Sequence, residues 1–408
     1  MKSGLSIRQT TESVPLLDLK RQYEDLKVEM AGALVNVNES SQFVLGPEVK
    51  RLEADIASYL NANWGIGCAS GSDALLLSLM AGKIGPGDEV IVPSFTFFAT
   101  ASCVSRLGAT PVFADIDPIT FNLDPKDVAA KITSRTRAII PVHLYGQMAD
   151  MRIFRRLTSE NLDQGRHHIL LVEDAAQAIG AKLDGIPVGN WGDVACLSFY
   201  PTKNLGGAGD GGMLVTNSDR WANRLRLLRG HGMEPRYYHQ EIGINSRLDS
   251  YQAAVLNVKL PQLSKWTEMR RHNAELYREF FVEAGLDGTV TLPVSLPDRY
   301  HVWNQFVIRI PDRRRDTLRA ELREKKIGTE IYYPIGLHEQ ECFQYLGYMP
   351  EDLPVTYRYS REVLALPMFP ELREEEIYTV VEGVRKFYEV NRSRSLYPSA
   401  AVSERKAA

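Results

Sequence analysis

The sequence predicts an α/β protein: a mostly parallel sheet wrapped by helices, followed by a smaller α+β unit. Two observations carry this reading. From about residue 65, short apolar runs alternate with segments of helical periodicity, and near residue 248 the alternation gives way to long helical stretches around isolated strands. Between the two regimes lies "CLSFYPTKNLGGAGDGG" at 196–212, which sets one lysine, Lys203, between a strand-like run and a bed of glycines.

The elements follow in order. "GIGCAS" reads as strand, and 72–80 then takes helical spacing. "EVIVPS" follows a "GPGD" turn and leads into a helical segment over 96–107. "TPVFADI", "RAIIPVHL" and "HHILLVED" are further strands, each followed by a turn or helix. "DVACLSFY" and "GGMLVTN" are joined by the glycine loop instead, which predicts a hairpin-like pair near the sheet edge with Lys203 in its turn. After 248 a long helix is expected to kink or break at Pro261, because proline removes a helical N–H. "HVWNQFVIRI" and "TEIYYP" are expected strands on either side of the helix-like "RDTLRAELREKK". A last helix sets Ile377, Val380, Val381, Val384, Phe387 and Tyr388 on one stripe. The resulting division is an N-terminal segment 1–35, whose helix at 19–35 packs with the small unit, a large domain 36–247, a small α+β domain 248–392 and a flexible tail 393–408.

Composition narrows the function class. The 408 residues carry a formal net charge of −3, with no lysine or arginine block dense enough to follow a nucleic-acid backbone. The four cysteines stand far apart with no C-x-x-C pair, which supports neither a metal site nor a disulfide framework and suits a reducing cytoplasm. The first twenty residues lack the apolar core of a secretory signal, and no apolar run approaches the roughly 18 residues of a membrane helix. The expectation is a cytoplasmic protein that binds neither membrane nor nucleic acid.

Three features carry chemistry. In "HHILLVEDAAQAIGA" a strand ends in Glu173-Asp174, so an acid lies where open α/β sheets bind ligands; a helix N-cap is the plain alternative for Asp174. In "CASGSDALLLSLM" Ser70, Gly71 and Ser72 lie between strand and helix, where amides favour a phosphate, or where a serine simply caps the helix. Lys203 does not fit a P-loop, which needs its glycines before the lysine, and "GGAGDGG" follows no βα entry as a dinucleotide fingerprint would. A cofactor with an aldehyde, a phosphate and a basic ring nitrogen would use lysine, helix N-terminus and acid together, and pyridoxal phosphate is such a cofactor.

In these residues the sequence resembles the DegT/DnrJ/StrS sugar aminotransferases. The resemblance spans about 14–390 and rests on an ordered series: "PLLDLKRQY", "SGSDALLLSL", "PGDEVIVPSFTFFATA", "PVHLYGQ", "EDAAQAIGA", "SFYPTKNLGGAGDGG" and "GINSRLDSYQAAVL". It implies fold type I, with a seven-stranded, mostly parallel sheet, and pyridoxal phosphate bound in the large domain. By matching positions, Lys203 is the Schiff-base lysine and the acid/base at the reacting carbon. Asp174 pairs with the ring nitrogen, and Gln177 approaches the phenolic oxygen. Gly71, Ser72 and Ser198 hold the phosphate, and Phe97 stacks on the ring, with core packing beside Phe95 and Phe98 as its alternative. Asn245 reaches the phosphate of a neighbouring subunit, which implies a homodimer with shared sites. Tyr333 and His338 in "YYPIGLHEQ" match the part that faces the nucleotide sugar.

Family members often have threonine at Ser72, which keeps the hydroxyl; a dehydrating branch has histidine at Lys203, which this chain does not. "EDAAQA" with "YPTKNLGGAGDGG" is similar to members acting on 3-keto sugars, whereas 4-keto members tend to read "EDAAHA". The resemblance implies an aminotransferase that moves an amino group, from glutamate, to the 3-keto group of a UDP- or dTDP-linked sugar. The alternatives are a 4-keto-sugar aminotransferase and a cofactor-binding regulatory protein without turnover.

Overall fold

The computed structural model describes residues 10–396 apart from 166 and 312, with side chains through 389. Its main sheet is built from β1 Trp64–Cys68, β2 Glu89–Pro93, β3 Thr110–Ala114, β4 Thr136–Ile139, β5 Leu170–Asp174, β8 Val194–Ser198 and β9 Gly212–Thr216. A small sheet joins β6 Lys182–Leu183, β7 Ile186–Pro187 and β10 Arg299–Tyr300. The seven strands of the main sheet run in the order β1-β9-β8-β5-β4-β2-β3. β9 pairs antiparallel with both β1 and β8, and the remaining pairs are parallel.

Strands β2, β5 and β9 are buried along their whole length, as expected of a sheet covered on both faces. Alternate residues serve opposite layers. Ile91, Ile139 and Leu171 pack with Leu52 and Ile56 of α2 (Pro47–Tyr59) and Phe154 of α6 (Met151–Asp163). Their neighbours Val90, Ala138 and Val172 pack with Leu75 and Leu79 of α3 (Gly71–Ala81), Val104 of α4 (Ala99–Arg106) and Leu225 of α7 (Asp219–Leu228). A short α5, Pro125–Lys131, lies between β3 and β4 in the chain.

The expected β8–β9 hairpin is present near the sheet edge, with the edge itself taken by β1, distant in sequence, which pairs along all of β9. The long helix after 248 is broken, with α8 at Ser250–Lys259, a 3-10 turn containing Pro261, and α9 at Leu263–Glu283. Beyond it, β11 Phe306–Arg309 pairs antiparallel with β12 Val363–Leu366. The strand expected at "TEIYYP" is instead a single bridge between Glu330 and Ala365. Past Glu330 the chain turns to present Tyr332 and Tyr333 to a cleft, and Pro334 has no N–H to continue a ladder. Val363–Leu366 takes the place beside β11.

α10 Arg315–Glu324, α11 Pro354–Tyr359 and α12 Glu374–Leu396 complete this half of the chain. Leu318 and Leu322 of α10 meet Val380, Val384 and Phe387 of α12 in a core shared with Tyr277 and Phe281. The first helix, α1, runs Leu19–Ser40, five residues beyond the expected 19–35, and packs Leu26 and Met30 on Val255 and Trp266. Of the tail expected from 393, the first residues continue α12 and the rest lie outside the described residues. Among the described residues no helix is long and apolar enough to cross a membrane.

Candidate active site

At the carboxyl ends of the strands, where the helices α3 and α4 begin, a cleft of about 800 Å³ opens between the sheet and the 302–306, 330–333 and 365–368 segments. Asp174 is the last residue of β5, and Ser198 the last of β8. The chain then turns at Tyr200-Pro201-Thr202-Lys203, with the Lys203 amide donating to the Tyr200 carbonyl at 2.9 Å. Proline in the second position of such a turn matches its backbone. The turn sends the Lys203 side chain into the cleft that Asp174 also lines.

Burial pulls the Lys203 ammonium down to about 8, against the opposing pull of the Asp174 charge. The ammonium therefore predominates at pH 7, and the neutral amine becomes abundant as the pH approaches 8. Asp174 shifts the other way: burial raises its pKa, while the Thr100 hydroxyl (2.8 Å) and the Ala176 amide (3.2 Å) hydrogen-bond the carboxylate and oppose the rise. A carboxylate so enclosed is poised for a cation placed against it.

The phosphate-class features also meet here. Ser70 caps α3, its Oγ accepting from the Asp73 amide at 3.1 Å. The capping and anion readings of this motif are compatible, because the first-turn amides of Gly71 and Ser72 have no intrahelical acceptor. Ser198 lies directly against this terminus: a Cβ on Gly71 would come within 2.7 Å of the Ser198 Cβ. Likewise a Cβ on Gly212 would meet the Ser70 backbone at 2.4 Å. Neither glycine has a positive φ. Their role is to let strand and helix start approach closely.

Of the three neighbouring phenylalanines, Phe95 is buried, whereas Phe97 is 59% exposed and lines the cleft, 6.4 Å from the Tyr333 ring centre. Gln177 is buried, and its Oε1 accepts from the Tyr145 amide at 2.6 Å. That bond fixes the flip of the side chain and leaves its NH2 group as the donor for the cleft. Tyr333 lines the cleft too; burial, then the Asp174 charge, push its hydroxyl well above the ordinary tyrosine range, so it remains a donor.

Two candidates lie elsewhere. His338 is buried away from the cleft lining, with Nδ1 2.6 Å from the Ser94 hydroxyl and Nε2 3.1 Å from the Pro350 carbonyl. Both ring nitrogens are committed, Nδ1 to the residue after β2 and Nε2 to the 350–352 turn. Asn245 is exposed beside the 231–243 loop, outside the cleft of its own chain. Sequence reasoning passed over Thr100, Tyr145, Asn304, Gln305, Glu330 and the N-terminal Leu16 and Leu17, all of which support or line the cleft. Thr100 lies in the second position of α4, and its hydroxyl is 3.2 Å from that of Thr96 in the bend before the helix.

The chain is 53% identical over 376 residues to the pleiotropic regulatory protein of Geobacillus stearothermophilus, covering 92% of this chain and 99% of that one. It is 43% identical to the UDP-N-acetyl-3-dehydro-alpha-D-glucosamine 3-aminotransferase of Acidithiobacillus ferrooxidans, covering 92% and 98%. Among solved structures it is similar to Streptomyces venezuelae DesV in complex with a ketimine intermediate, with a TM-score of 0.86, 43% identity, and 93% and 99% of the two chains covered. The fold is that of the sugar aminotransferases, and the DegT/DnrJ/EryC1/StrS aminotransferase family matches residues 24–385. The chain belongs to that family.

Proposed function

We propose that this chain is a pyridoxal-phosphate-dependent aminotransferase that moves an amino group from L-glutamate to the 3-keto group of a UDP- or dTDP-linked sugar. Its product would be an amino sugar for surface polysaccharide, lipid A or natural-product synthesis. The observation that carries the reading is the convergence of Lys203 and Asp174 on one cleft, with Ser198 pressed against the start of α3.

The cradle fits a flat phosphorylated ring. Gly71, Ser72 and Ser198 would hold the phosphate, Phe97 would cover one ring face, and Gln177 would donate to the phenolic oxygen. Asp174 would face the ring nitrogen, where a proton restores the charge partner that its burial lacks. When bound, pyridoxal phosphate supplies the carbonyl that takes up the amino group and the ring that accepts electrons from the substrate carbon. Lys203 would anchor it through Nζ, and the free amine, with its pKa near 8, would take and return the proton at that carbon. Tyr333 would orient the sugar.

On this reading a large domain at 36–247 and a small one at 248–392 would meet at the cleft, and the described part of the 1–35 segment would belong with the small one, as the packing of Leu26 and Met30 on Val255 and Trp266 supports. A homodimer is part of the reading. Among the described residues Lys203 is the only cation lining the cleft, against Asp174, Asp210 and Glu330. A nucleotide sugar brings two phosphates that need further donors. The neighbouring 231–243 loop leaves Tyr237, Tyr238 and Ile242 at 74%, 70% and 93% exposure, a surface suited to a second copy. Asn245 would act across that interface. The free cysteines, three of them buried, fit a cytoplasmic setting.

The test is mass spectrometry of products after the amino-loaded protein meets a panel of 3-keto and 4-keto nucleotide sugars. Amination at the third carbon is expected; exclusive amination at the fourth, or product without new nitrogen, overturns the reading. The name of the Geobacillus relative raises a second reading, regulation without turnover. Glutamate decides it: an active protein changes its visible spectrum on mixing, and a purely sensory one does not.

A further inference from the structure

We propose that Lys259 and Gln252 of α8 are positioning residues for Lys203: together they clamp the glycine loop behind it and so aim its amine into the cleft. The proposal rests on reading Lys203 as the reactive amine.

The two residues are seven apart on α8 and therefore share one face of the helix. Lys259 Nζ donates to the Gly206 carbonyl at 2.7 Å, and Gln252 Oε1 accepts from the Ala208 amide at 2.8 Å. Gln252 fills the space beside the loop that side chains would need: a Cβ on Gly207 would meet its Oε1 at 2.8 Å, and one on Gly209 its Nε2 at 3.0 Å. Gly206 in turn lies on the lysine turn itself, where a Cβ would meet the Pro201 carbonyl at 2.2 Å. A third tether holds the residue next to the lysine. Asn204 Nδ2 donates to the Val302 carbonyl at 2.8 Å, and its Oδ1 accepts from Asn304 Nδ2 at 2.9 Å. The segment from Pro201 to Ala208 is thus gripped from two sides while its glycines leave no slack.

Packing alone does not account for Lys259. It is 7% exposed, and its Nζ donates to a neutral carbonyl. Burial draws its pKa below the ordinary lysine range, with only the Glu371 charge opposing. An apolar side chain of the same length would fill that space without the cost of a buried ammonium. What the ammonium adds is direction: a charge-assisted hydrogen bond to one specific carbonyl, two residues beyond Asn204.

The test reads Lys203 without relying on turnover. Protein freed of cofactor is acylated with a small amine-reactive ester across a pH series, and the Lys203 peptide is quantified by mass spectrometry. Wild-type Lys203 should titrate near 8, the value set by burial with Asp174 facing it. Lys259→Met should loosen the loop and move that midpoint toward the solvated lysine value of about 10.4. The same variant should slow borohydride-trappable attachment of pyridoxal phosphate roughly tenfold, the loss of one charge-assisted hydrogen bond. Lys259→Arg, which keeps a donor, should recover most of both effects, as recovery of shape alone would not. Gln252→Met should shift the midpoint in the same direction, and it decides the matter if Lys259→Met does not fold. A folded variant whose Lys203 titrates and attaches cofactor as wild type overturns the clamp, even if its melting temperature falls. An ordinary lysine midpoint in the wild type itself would instead overturn the reading of Lys203.

Discussion

The Thr100 hydroxyl donates to Asp174 Oδ2 at 2.8 Å, and both residues are buried. Thr100 is the second residue of α4, which follows β2, and Asp174 ends β5, two strands from β2 in the sheet, so the bond ties a helix start to the acid that faces the cleft. Hydrogen bonds to charged groups contribute about 1.5–3 kcal/mol. Thr100→Val keeps the shape and loses that donor, leaving the carboxylate harder to ionise. The expected result is at least a roughly tenfold weaker hold on pyridoxal phosphate, read by equilibrium dialysis. Retention at the wild-type level would show that the Ala176 amide suffices.

Lys203 makes a separate prediction about stability. Its folded pKa, about 8, lies below the unfolded value of about 10.4, so the unfolded chain binds more protons between those pH values. Stability of the cofactor-free protein should therefore rise with pH through that window. At pH 7 the folded state carries the full cost of the buried ammonium. Lys203→Met removes this cost, worth on the order of 1–3 kcal/mol, and should raise the melting temperature by a few degrees while abolishing activity. A lower melting temperature for that variant, measured by calorimetry without cofactor, contradicts the account.

The close approaches that shape the phosphate cradle are testable through glycine. A Cβ on Gly212 would stand 2.4 Å from the Ser70 carbonyl carbon and oxygen, backbone that cannot swing aside like a side chain. Gly212→Ala should push the start of α3 away from β9 and Ser198. Affinity for pyridoxal phosphate should fall at least about tenfold, one lost anion contact of the helix terminus and its neighbours, with a smaller loss for pyridoxal lacking the phosphate. Equal losses for both compounds would place the damage elsewhere.

How much of this was legible beforehand depended on the kind of signal. Strands such as "HHILLVED" announced themselves because a sheet covered on both faces demands continuous apolar runs, and Asp174 stood out as an acid ending one. Lys203 was legible because a lysine between a strand and glycines is chemically odd. The edge position of β1 was not legible, since strand order depends on pairing between residues 64–68 and 212–216, far apart in the chain. "TEIYYP" has strand composition, yet its tyrosines serve the cleft and its backbone forms only one bridge. The placement of His338 was hidden for a related reason: a histidine's partners, here Ser94 and the Pro350 carbonyl, come from other segments. Gln252 and Lys259 read as an ordinary helical face, because nothing local to α8 shows that a glycine loop lies on it.

The N-terminal segment supplies the last prediction. Leu16 and Leu17 line the cleft, and the helix that follows is pinned by Arg21, which grips both oxygens of buried Glu376 at 2.8 and 2.6 Å. Burial opposes ionisation of Glu376, but Arg21, Arg373 and the Arg373 amide outweigh it and draw its pKa down to about 2. The folded pKa is thus depressed, so the stabilisation is complete above the ordinary glutamate value of about 4.3 and is lost as pH falls toward about 2. Glu376→Gln should cost about 2 kcal/mol at pH 7, below the range for fully buried pairs because Arg21 stays partly solvated. In urea titrations the gap between wild type and variant should narrow between pH 5 and pH 3, values of about the titration window. Because the pin also seats Leu16 and Leu17, the variant should raise KM for the sugar nucleotide several-fold with kcat little changed, the mark of lost uniform binding. A stability loss with KM unaltered would separate the anchor from the cleft and leave the N-terminal segment without a part in substrate binding.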